Sequence, residues 1–182
     1  MSDQQSVRIS FEFFPPKTSQ GVDNLNHTRA ELDGFKPEFY SVTYGAGGST
    51  RDNTKHVVQT CIDAGCAVAP HLSFGGDNEE TMLELLTSYQ EMGIDRIVAL
   101  RGDMPSGMGG AFQMVYANQL VAFIRKHFGD PFHLEVAAYP EIHPEAKSYD
   151  SDLRYLKGKF DAGANSALTQ YTPTRDDDSL CR

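Results

Sequence analysis

Short apolar segments alternate along the chain with amphipathic segments, at intervals of roughly 30 residues. Six segments have the composition of buried strands: residues 8–14, 39–43, 67–71, 96–100, 134–138 and 166–169. Between them, apolar residues at helical spacing predict helices, the clearest being the stripe of Met82, Leu85, Leu86 and Tyr89. Residues 54–64 predict another helix, and Gly65, Gly93 and Gly129 stand where helices should end. This alternation predicts βαβ units and therefore a parallel sheet.

A parallel sheet of this kind is either a doubly wound open sheet or a (β/α)8 barrel. Periodicity does not separate the two, but the distribution of polar residues does. Polar side chains gather where each predicted strand ends: Glu12, Thr43, His71, Arg101 with Asp103, Tyr139 with Glu141 and His143, and Gln170. A doubly wound sheet concentrates its site at one switch point, whereas a barrel collects residues from many strand ends. The pattern therefore favours a (β/α)8 TIM barrel, of which about six βα units are present.

Composition and charge narrow the function. The 182 residues are 40% hydrophobic and 23% charged, which is typical of a globular domain. The net charge of −9 disfavours nucleic acid and anionic membrane surfaces as partners, because both would repel the chain. The polar first residues lack the apolar core of a signal peptide, and the three cysteines fit neither a disulfide framework nor a zinc site. We therefore expect a cytoplasmic protein with reduced thiols.

Glu12 is the most informative candidate for catalysis. Strand alternation places Ser10, Glu12 and Phe14 on one face, and Phe11 and Phe13 on the other. If the two phenylalanines face the helices, Glu12 points into the barrel mouth. A carboxylate in an aromatic setting is costly to ionise, so its pKa should rise, which suits a general acid. The alternative is a buried structural glutamate that is paired with an arginine or a lysine.

Two further segments carry candidate binding residues. In Arg101-Gly102-Asp103, glycine permits close approach of a ligand, the arginine suits a phosphate, and the aspartate can accept from a ring N–H. A surface ion pair in a turn is the alternative. The loop of residues 139–147 combines Tyr139, His143 and Lys147 with two stiffening prolines. The chain has no His-x-His or His-Glu-x-x-His spacing, so a metal-dependent hydrolase is the weaker alternative and we predict no metal site.

Six motifs in order resemble bacterial methylenetetrahydrofolate reductases. They are Ser10-Phe11-Glu12-Phe13-Phe14-Pro15-Pro16-Lys17-Thr18, Ser41-Val42-Thr43-Tyr44-Gly45-Ala46, Ala69-Pro70-His71-Leu72, Ala99-Leu100-Arg101-Gly102-Asp103, Ala138-Tyr139-Pro140-Glu141-Ile142-His143-Pro144-Glu145-Ala146 and Asp161-Ala162-Gly163-Ala164-Asn165. The resemblance extends to about Gln170. It implies a barrel with FAD across the carboxyl ends of the strands, reduced by NADH or NADPH. The reduced flavin would then convert 5,10-methylenetetrahydrofolate to 5-methyltetrahydrofolate for methionine synthesis.

The resemblance also implies roles for individual residues. Glu12 would be the acid that opens the folate imidazolidine ring, and Asp103 would lie beside the flavin pyrimidine and the folate. Thr43 and Gln170 match positions that touch the nicotinamide or the folate. Positions that match flavin contacts are Thr43, Tyr44, Ala46, His71, Leu100, Arg101, Gly102, Asp103, Ala117, Tyr139, His143, Ala146, Asp152 and Lys159. Tyr155 and Gly158 replace polar residues of some relatives at the adenosine end. Full-length family members are expected to be homo-oligomers.

The resemblance ends near Tyr171. Residues 1–171 are interpreted as the N-terminal part of a flavin-binding barrel, and residues 172–182 as a polar tail without hydrophobic periodicity. Three hypotheses stay open: a reductase completed by another chain, an inactive remnant or cut fragment of one, and the metal-dependent hydrolase. We further predict that downstream DNA in a shifted frame encodes the remaining strands, and that this chain alone is colourless and prone to aggregation.

Overall fold

A computed structural model describes residues 8–44, 48–74, 78–102 and 116–169, the side chains of 48–51 excepted. The strands are β1 (Ser10–Phe13), β2 (Phe39–Val42), β3 (Val68–Leu72), β4 (Arg96–Ala99), β5 (His133–Ala138) and β6 (Ser166–Thr169). The helices are α1 (Ser19–Leu32), α2 (Gly48–Asp63), α3 (Glu79–Glu91), α4 (Ala117–Phe128) and α5 (Tyr149–Asp161), and a 3₁₀ turn (Asp33–Phe35) follows α1. Each of these helices is too short or too polar to cross a lipid bilayer.

The six strands form one parallel sheet in the order β1-β2-β3-β4-β5-β6. A doubly wound sheet would reverse its strand order at a switch point, and the described strands show no reversal. The chain therefore has an incomplete α/β fold of the TIM-barrel type, which confirms the predicted fold class. The boundary predicted between residues 171 and 172 lies outside the described residues.

The two faces of the sheet carry different layers. Alternate strand residues such as Val42, Leu72 and Ile97 face the helices and are fully buried in the main core. The opposite face, which lines the inside of the curved sheet, carries a smaller apolar cluster. That cluster contains Phe39, Ala69 and Val98, with Leu100 and Leu168 packed against it. Side-chain alternation therefore assigns every second strand residue to the interior, and those at the carboxyl ends of the strands face the mouth, where a barrel holds its site.

Two element boundaries differ from the sequence-based prediction. Helix α2 begins at Gly48, six residues before the predicted start at residue 54. Residues 48–53 are polar, so the apolar stripe that reveals a helix does not extend over the first turns. Strand β1 covers Ser10–Phe13 and not the predicted residues 8–14, and Ile9 and Phe14 on either side of it are exposed. Elsewhere the boundaries agree closely, and Asn78 caps α3 by accepting from the Thr81 N–H at 2.8 Å.

The motif Asp161–Asn165 connects α5 to β6 and shows why glycine stands at position 163. Gly163 has φ +111°, and a Cβ there would lie 2.9 Å from Cγ of Arg125. The Arg125 guanidinium donates to the Gly163 carbonyl at 3.0 Å and to Oδ1 of Asn165 at 2.7 Å. Asn165 Oδ1 also accepts from the Leu134 N–H at 2.7 Å. The motif thereby fixes β6 against β5.

Candidate active site

The carboxyl ends of the parallel strands meet at one edge of the sheet, which we call the carboxyl edge. The described residues predicted for the site lie along this edge or in the loops and first helical turns that follow it, except that Lys159 lies near the end of α5 and reaches back to β5 with its side chain. They are Glu12, Thr43, Tyr44, His71, Leu100, Arg101, Gly102, Ala117, Tyr139, His143, Ala146, Asp152 and Lys159. Ala46, Asp103 and Gln170 lie outside the described residues. The two most detailed groups of contacts are one around Glu12 and one around Arg101.

Glu12 lies on the inner face of β1, as its alternation predicted. Phe11 and Phe13 are on the other face, where both rings stack on Tyr40 with centroids 6.1 and 5.0 Å apart. The neighbours of the Glu12 carboxylate are therefore polar and not the aromatic rings of its own strand. Ser41, its register partner on β2, forms a side-chain hydrogen bond with it.

His71 on β3 faces the same carboxylate, and its Nε2 lies 3.3 Å from Oε2 of Glu12. The imidazole is buried, and Nε2 has no hydrogen bond of good geometry to any described residue. Burial lowers the pKa of His71 to about 4, so the ring is neutral at pH 7. Burial also raises the pKa of Glu12, and the Ser41 hydrogen bond partly offsets this. The expected direction of the Glu12 pKa is found, and the basic side chain that lies against Glu12 is a neutral histidine and not an arginine or a lysine.

Thr43 directly follows β2 and is fixed through its backbone. Its N–H donates to the Phe13 carbonyl at 2.9 Å, and its carbonyl accepts from the hydroxyl of buried Thr54 at 2.9 Å. Strand β1 and helix α2 therefore hold the end of β2 from both sides. Tyr44 follows in the chain and is half-buried.

Arg101 follows β4 and forms an ion pair across the edge. Its Nη1 donates to Oε2 of Glu145 at 2.6 Å, and this contact lowers the pKa of the glutamate. Leu100, one residue earlier, packs against the inner apolar cluster and donates its N–H to the Leu72 carbonyl at 2.8 Å. The alternative interpretation of this turn, an ion pair, is thus found in the structure. The pair joins two of the segments that are predicted to bind the cofactor.

The loop after β5 is ordered by its own polar contacts. The rings of Tyr139 and His143 meet edge to face with centroids 4.5 Å apart. His143 Nδ1 accepts from the Glu145 N–H at 3.0 Å, and the His143 N–H donates to Asp152 at 3.1 Å. Ile142 has φ +91°, which is costly for a β-branched residue and typical of loops whose shape is functionally constrained.

Lys159 extends from α5 back to the sheet, where its Nζ donates to the Ala137 carbonyl at 2.6 Å. Burial lowers the pKa of this lysine, the charge of Asp152 opposes that effect, and the charge of Arg101 adds to it. The lysine, Asp152 and Arg101 are therefore close enough to affect one another electrostatically.

The remaining residues predicted for the site have small side chains or none, and they contribute mainly backbone groups. Gly102 is half-buried after Arg101, and the Ala146 N–H donates to the His143 carbonyl at 2.9 Å. Ala117 is buried as the first residue of α4. Helices that follow parallel strands start at the carboxyl edge, which places Ala117 on the same side of the fold.

Sequence reasoning missed three residues of this edge. Ser41 forms a side-chain hydrogen bond with Glu12, the Thr54 hydroxyl donates to the Thr43 carbonyl, and Glu145 accepts from the Arg101 guanidinium. Strand alternation could have identified Ser41, because it lies two residues before Thr43 on the same face of β2. Nothing local in the sequence marks Thr54 or Glu145, since their partners are at least eleven residues away.

A second polar cluster lies at the opposite, amino edge of the sheet. Arg96 of β4 donates to Glu135 of β5 at 2.5 Å and to Glu38 at 2.9 Å. Ser166 of β6 donates to the other oxygen of Glu135 at 2.6 Å. Glu135 is only 3% exposed. Within the described ranges, no group of three or more His, Cys, Asp or Glu side chains has the arrangement of a metal site.

Comparisons with known proteins agree with the resemblance seen in the sequence. The profile of the family described as methylenetetrahydrofolate reductase matches residues 1–177. A 5,10-methylenetetrahydrofolate reductase of Pectobacterium carotovorum subsp. carotovorum is 47% identical over 169 residues, which cover 92% of this chain and 55% of that protein. The protein of the same name from Escherichia coli (strain K12) is 44% identical, with 92% and 56% covered.

A plant protein is also similar. Methylenetetrahydrofolate reductase (NADH) 1 of Arabidopsis thaliana is 39% identical over an alignment of 184 residues, which covers 93% of this chain and 31% of the plant protein. The chain thus spans about half the length of the bacterial relatives and about a third of the plant one. From the match of the family profile and these identities, we conclude that the chain belongs to the methylenetetrahydrofolate reductase family.

Proposed function

We propose that the carboxyl edge is the active site for reduction of 5,10-methylenetetrahydrofolate to 5-methyltetrahydrofolate, with FAD as cofactor and NADH or NADPH as reductant. One observation carries the proposal: a carboxyl group with a raised pKa at the end of β1, in a chain of this family. The bacterial relatives are named for the folate reaction, and the plant relative is named for NADH. NADH is therefore the first reductant to test.

The chemistry of the donor groups around Arg101 fits FAD. Arg101 and Lys159 are cations that suit the pyrophosphate, while Tyr139 and His143 offer ring faces and edges. Further residues proposed for this cofactor are Thr43, Tyr44, Ala46, His71, Leu100, Gly102, Asp103, Ala117, Ala146 and Asp152. When bound, FAD would supply the transfer of hydride from the nicotinamide to the methylene carbon of the folate.

Glu12 is proposed to act as the acid. Opening the five-membered imidazolidine ring of the folate requires a proton on the departing ring nitrogen, and leaves a reactive iminium at the methylene carbon. A carboxyl group whose pKa is raised by burial keeps its proton nearer to neutral pH than an exposed one. Ser41 orients the Glu12 side chain, and Thr43, Asp103 and Gln170 are proposed to contact the substrate.

The experiment follows the two half-reactions separately. Purified protein, which we expect to be colourless as isolated, is loaded with added FAD, mixed anaerobically with NADH or NADPH, and then with 5,10-methylenetetrahydrofolate, while flavin absorbance is recorded. We expect bleaching in the first step, recovery of absorbance in the second, and 5-methyltetrahydrofolate by mass spectrometry. Reoxidation without the methyl product, or protein that binds no FAD, would contradict the proposal.

The same sample tests two further predictions, the absence of a metal site and the oligomeric state. Metal analysis with a hydrolase assay addresses the metal-dependent alternative, and a stoichiometric metal with hydrolytic activity would favour it. Light scattering measures whether the protein is a homo-oligomer. Cytoplasmic location and the absence of nucleic-acid and membrane partners stay predictions.

A further inference from the structure

The buried nitrogen of His71 has no hydrogen-bond partner among the described residues, although it lies against Glu12. A buried polar atom without a partner costs free energy comparable to a lost hydrogen bond, so such atoms are usually explained by function. Here Nε2 is 3.3 Å from Oε2 of Glu12 and the His71 side chain is only 9% exposed. A small rotation of the Glu12 side chain, which is 46% exposed, would complete the bond.

We propose that His71 is a positioning residue: its unprotonated Nε2 accepts the Glu12 O–H, holds the proton on Glu12, and directs that carboxyl group into the barrel mouth. The inference deepens the proposed function. It rests on that function only for the group that receives the Glu12 proton, which is the departing ring nitrogen of the folate. The arrangement of the two side chains does not depend on the substrate.

The protonation states follow from the surroundings. A neutral imidazole carries one proton, and if Nδ1 holds it, Nε2 presents a lone pair to Glu12. A lone pair beside the carboxyl group favours its protonated form and disfavours the carboxylate. The opposite arrangement, an imidazolium beside a carboxylate, would place a second charge on a buried ring, and burial opposes that.

Other charged groups on the inner face do not reverse this order, since burial and Ser41 account for the shifted pKa of Glu12. The titratable residues there, in the described part of the chain, are Arg96 of β4 with His133 and Glu135 of β5. They lie at the amino edge and pair with one another. On β2 the neighbour of Glu12 is the uncharged Ser41, whose hydrogen bond lowers the pKa of Glu12 and so limits the effect of His71.

The test is a nuclear magnetic resonance titration of the full chain, labelled with ¹³C at glutamate and ¹⁵N at histidine. While Glu12 is protonated, we expect His71 Nε2 to show the shift of an unprotonated nitrogen, and to respond when Glu12 titrates. A protonated Nε2 under those conditions would overturn the proposal. This measurement uses the unmodified protein, so it does not depend on any variant folding.

Two variants separate the hydrogen bond from burial. We expect His71→Ala to move the Glu12 midpoint to lower pH by about one pH unit, the shift expected from one lost hydrogen bond. Val98→Ala is the control, because Val98 is the buried register neighbour of His71 on β4 and belongs to the inner apolar cluster. An unchanged midpoint in His71→Ala, or an equal shift in both variants, would refute the proposal.

Activity then distinguishes this inference from the proposed function. In FAD-loaded protein, His71→Ala should move the basic limb of the folate half-reaction to lower pH by the same interval. If the wild-type protein reduces no folate but the titration gives the expected tautomer and shift, the proposed function fails and the Glu12–His71 interaction stands.

Discussion

The two edges of the same sheet differ in how completely their buried polar groups are hydrogen-bonded. At the amino edge, both oxygens of Glu135 are bonded, one to Arg96 and the other to Ser166. At the carboxyl edge, His71 Nε2 lacks a hydrogen bond of good geometry to any described residue and Glu12 has a raised pKa. A satisfied network stabilises a fold, while an unsatisfied pair remains able to exchange protons. The comparison indicates that the amino edge maintains the sheet, and it supports the proposal that the carboxyl edge is the active site, which is where barrels of this type hold it.

The largest effect is expected from Glu12→Gln, which keeps the shape of the side chain but removes its proton. The folate half-reaction should slow by about 10²- to 10⁴-fold, the usual contribution of a general acid, while reduction of the flavin by NADH continues. Stopped-flow measurement of both half-reactions tests this prediction. Glu31→Gln is the matched control, because Glu31 forms an exposed pair with His27 at 3.4 Å. Equal losses in both half-reactions would mean that Glu12 is structural.

At the amino edge, Arg96→Met should affect stability and leave the chemistry intact. Removing the guanidinium leaves Glu135 buried without a cation, which costs about 3 kcal/mol or more in the free energy of unfolding. Arg8→Met is the control, since Arg8 contacts the same Glu38 from an exposed position at 3.5 Å and should cost little.

Urea unfolding measures both of these variants, together with the double variant Arg96→Met/Glu135→Leu. The double variant should recover much of the stability, because it no longer buries an unpaired charge. If Arg96→Met altered the pH profile of the folate step as strongly as it altered stability, the separation of the two edges would be wrong.

Acid should destabilise the fold partly through His71. Its pKa of about 4 in the folded protein lies below the ordinary value of 6.5, so its contribution is complete above pH 6.5 and is lost as the pH falls toward 4. The difference corresponds to about 3 kcal/mol. Glu12 acts with the opposite sign, because its raised pKa makes the folded state bind a proton more readily.

His71→Asn should therefore flatten the acid side of the stability curve between pH 6.5 and 4, measured by urea unfolding at each pH. His27→Asn is the control, since His27 is 79% exposed. An unchanged slope in His71→Asn would show that His71 is not buried as a neutral ring.

The smallest effect is expected at Glu145, which forms an ion pair with the guanidinium of Arg101. Its carboxylate competes with a cofactor phosphate for that cation, so Glu145→Gln should tighten FAD binding by less than about tenfold, as expected for an exposed pair. Fluorescence quenching of FAD measures it. Asp161→Asn, which breaks the exposed Lys157–Asp161 pair of α5, should have no effect. Weaker binding in Glu145→Gln would mean that Glu145 orients Arg101 for the cofactor.

Much of this architecture follows from the sequence because its signals are local. Strand alternation correctly predicted that Glu12 lies on the other face of β1 from Phe11 and Phe13, and glycines correctly marked the ends of helices. Helix α2 was predicted too short because its first residues carry no apolar stripe. The His71–Glu12 contact joins strands that are separated by β2, and the Arg101–Glu145 pair spans 44 residues. Such contacts depend on register and curvature, which local periodicity does not encode.

The most direct test of the difference between the two edges is a titration of the isotopically labelled protein with FAD, followed by amide and side-chain resonances. We expect shifts that saturate at Thr43, His71, Arg101, Tyr139 and Lys159, while the resonances of Glu38, Arg96, His133 and Glu135 stay unchanged. Shifts that are confined to the amino edge, or that are absent at FAD concentrations well above that of the protein, would contradict it.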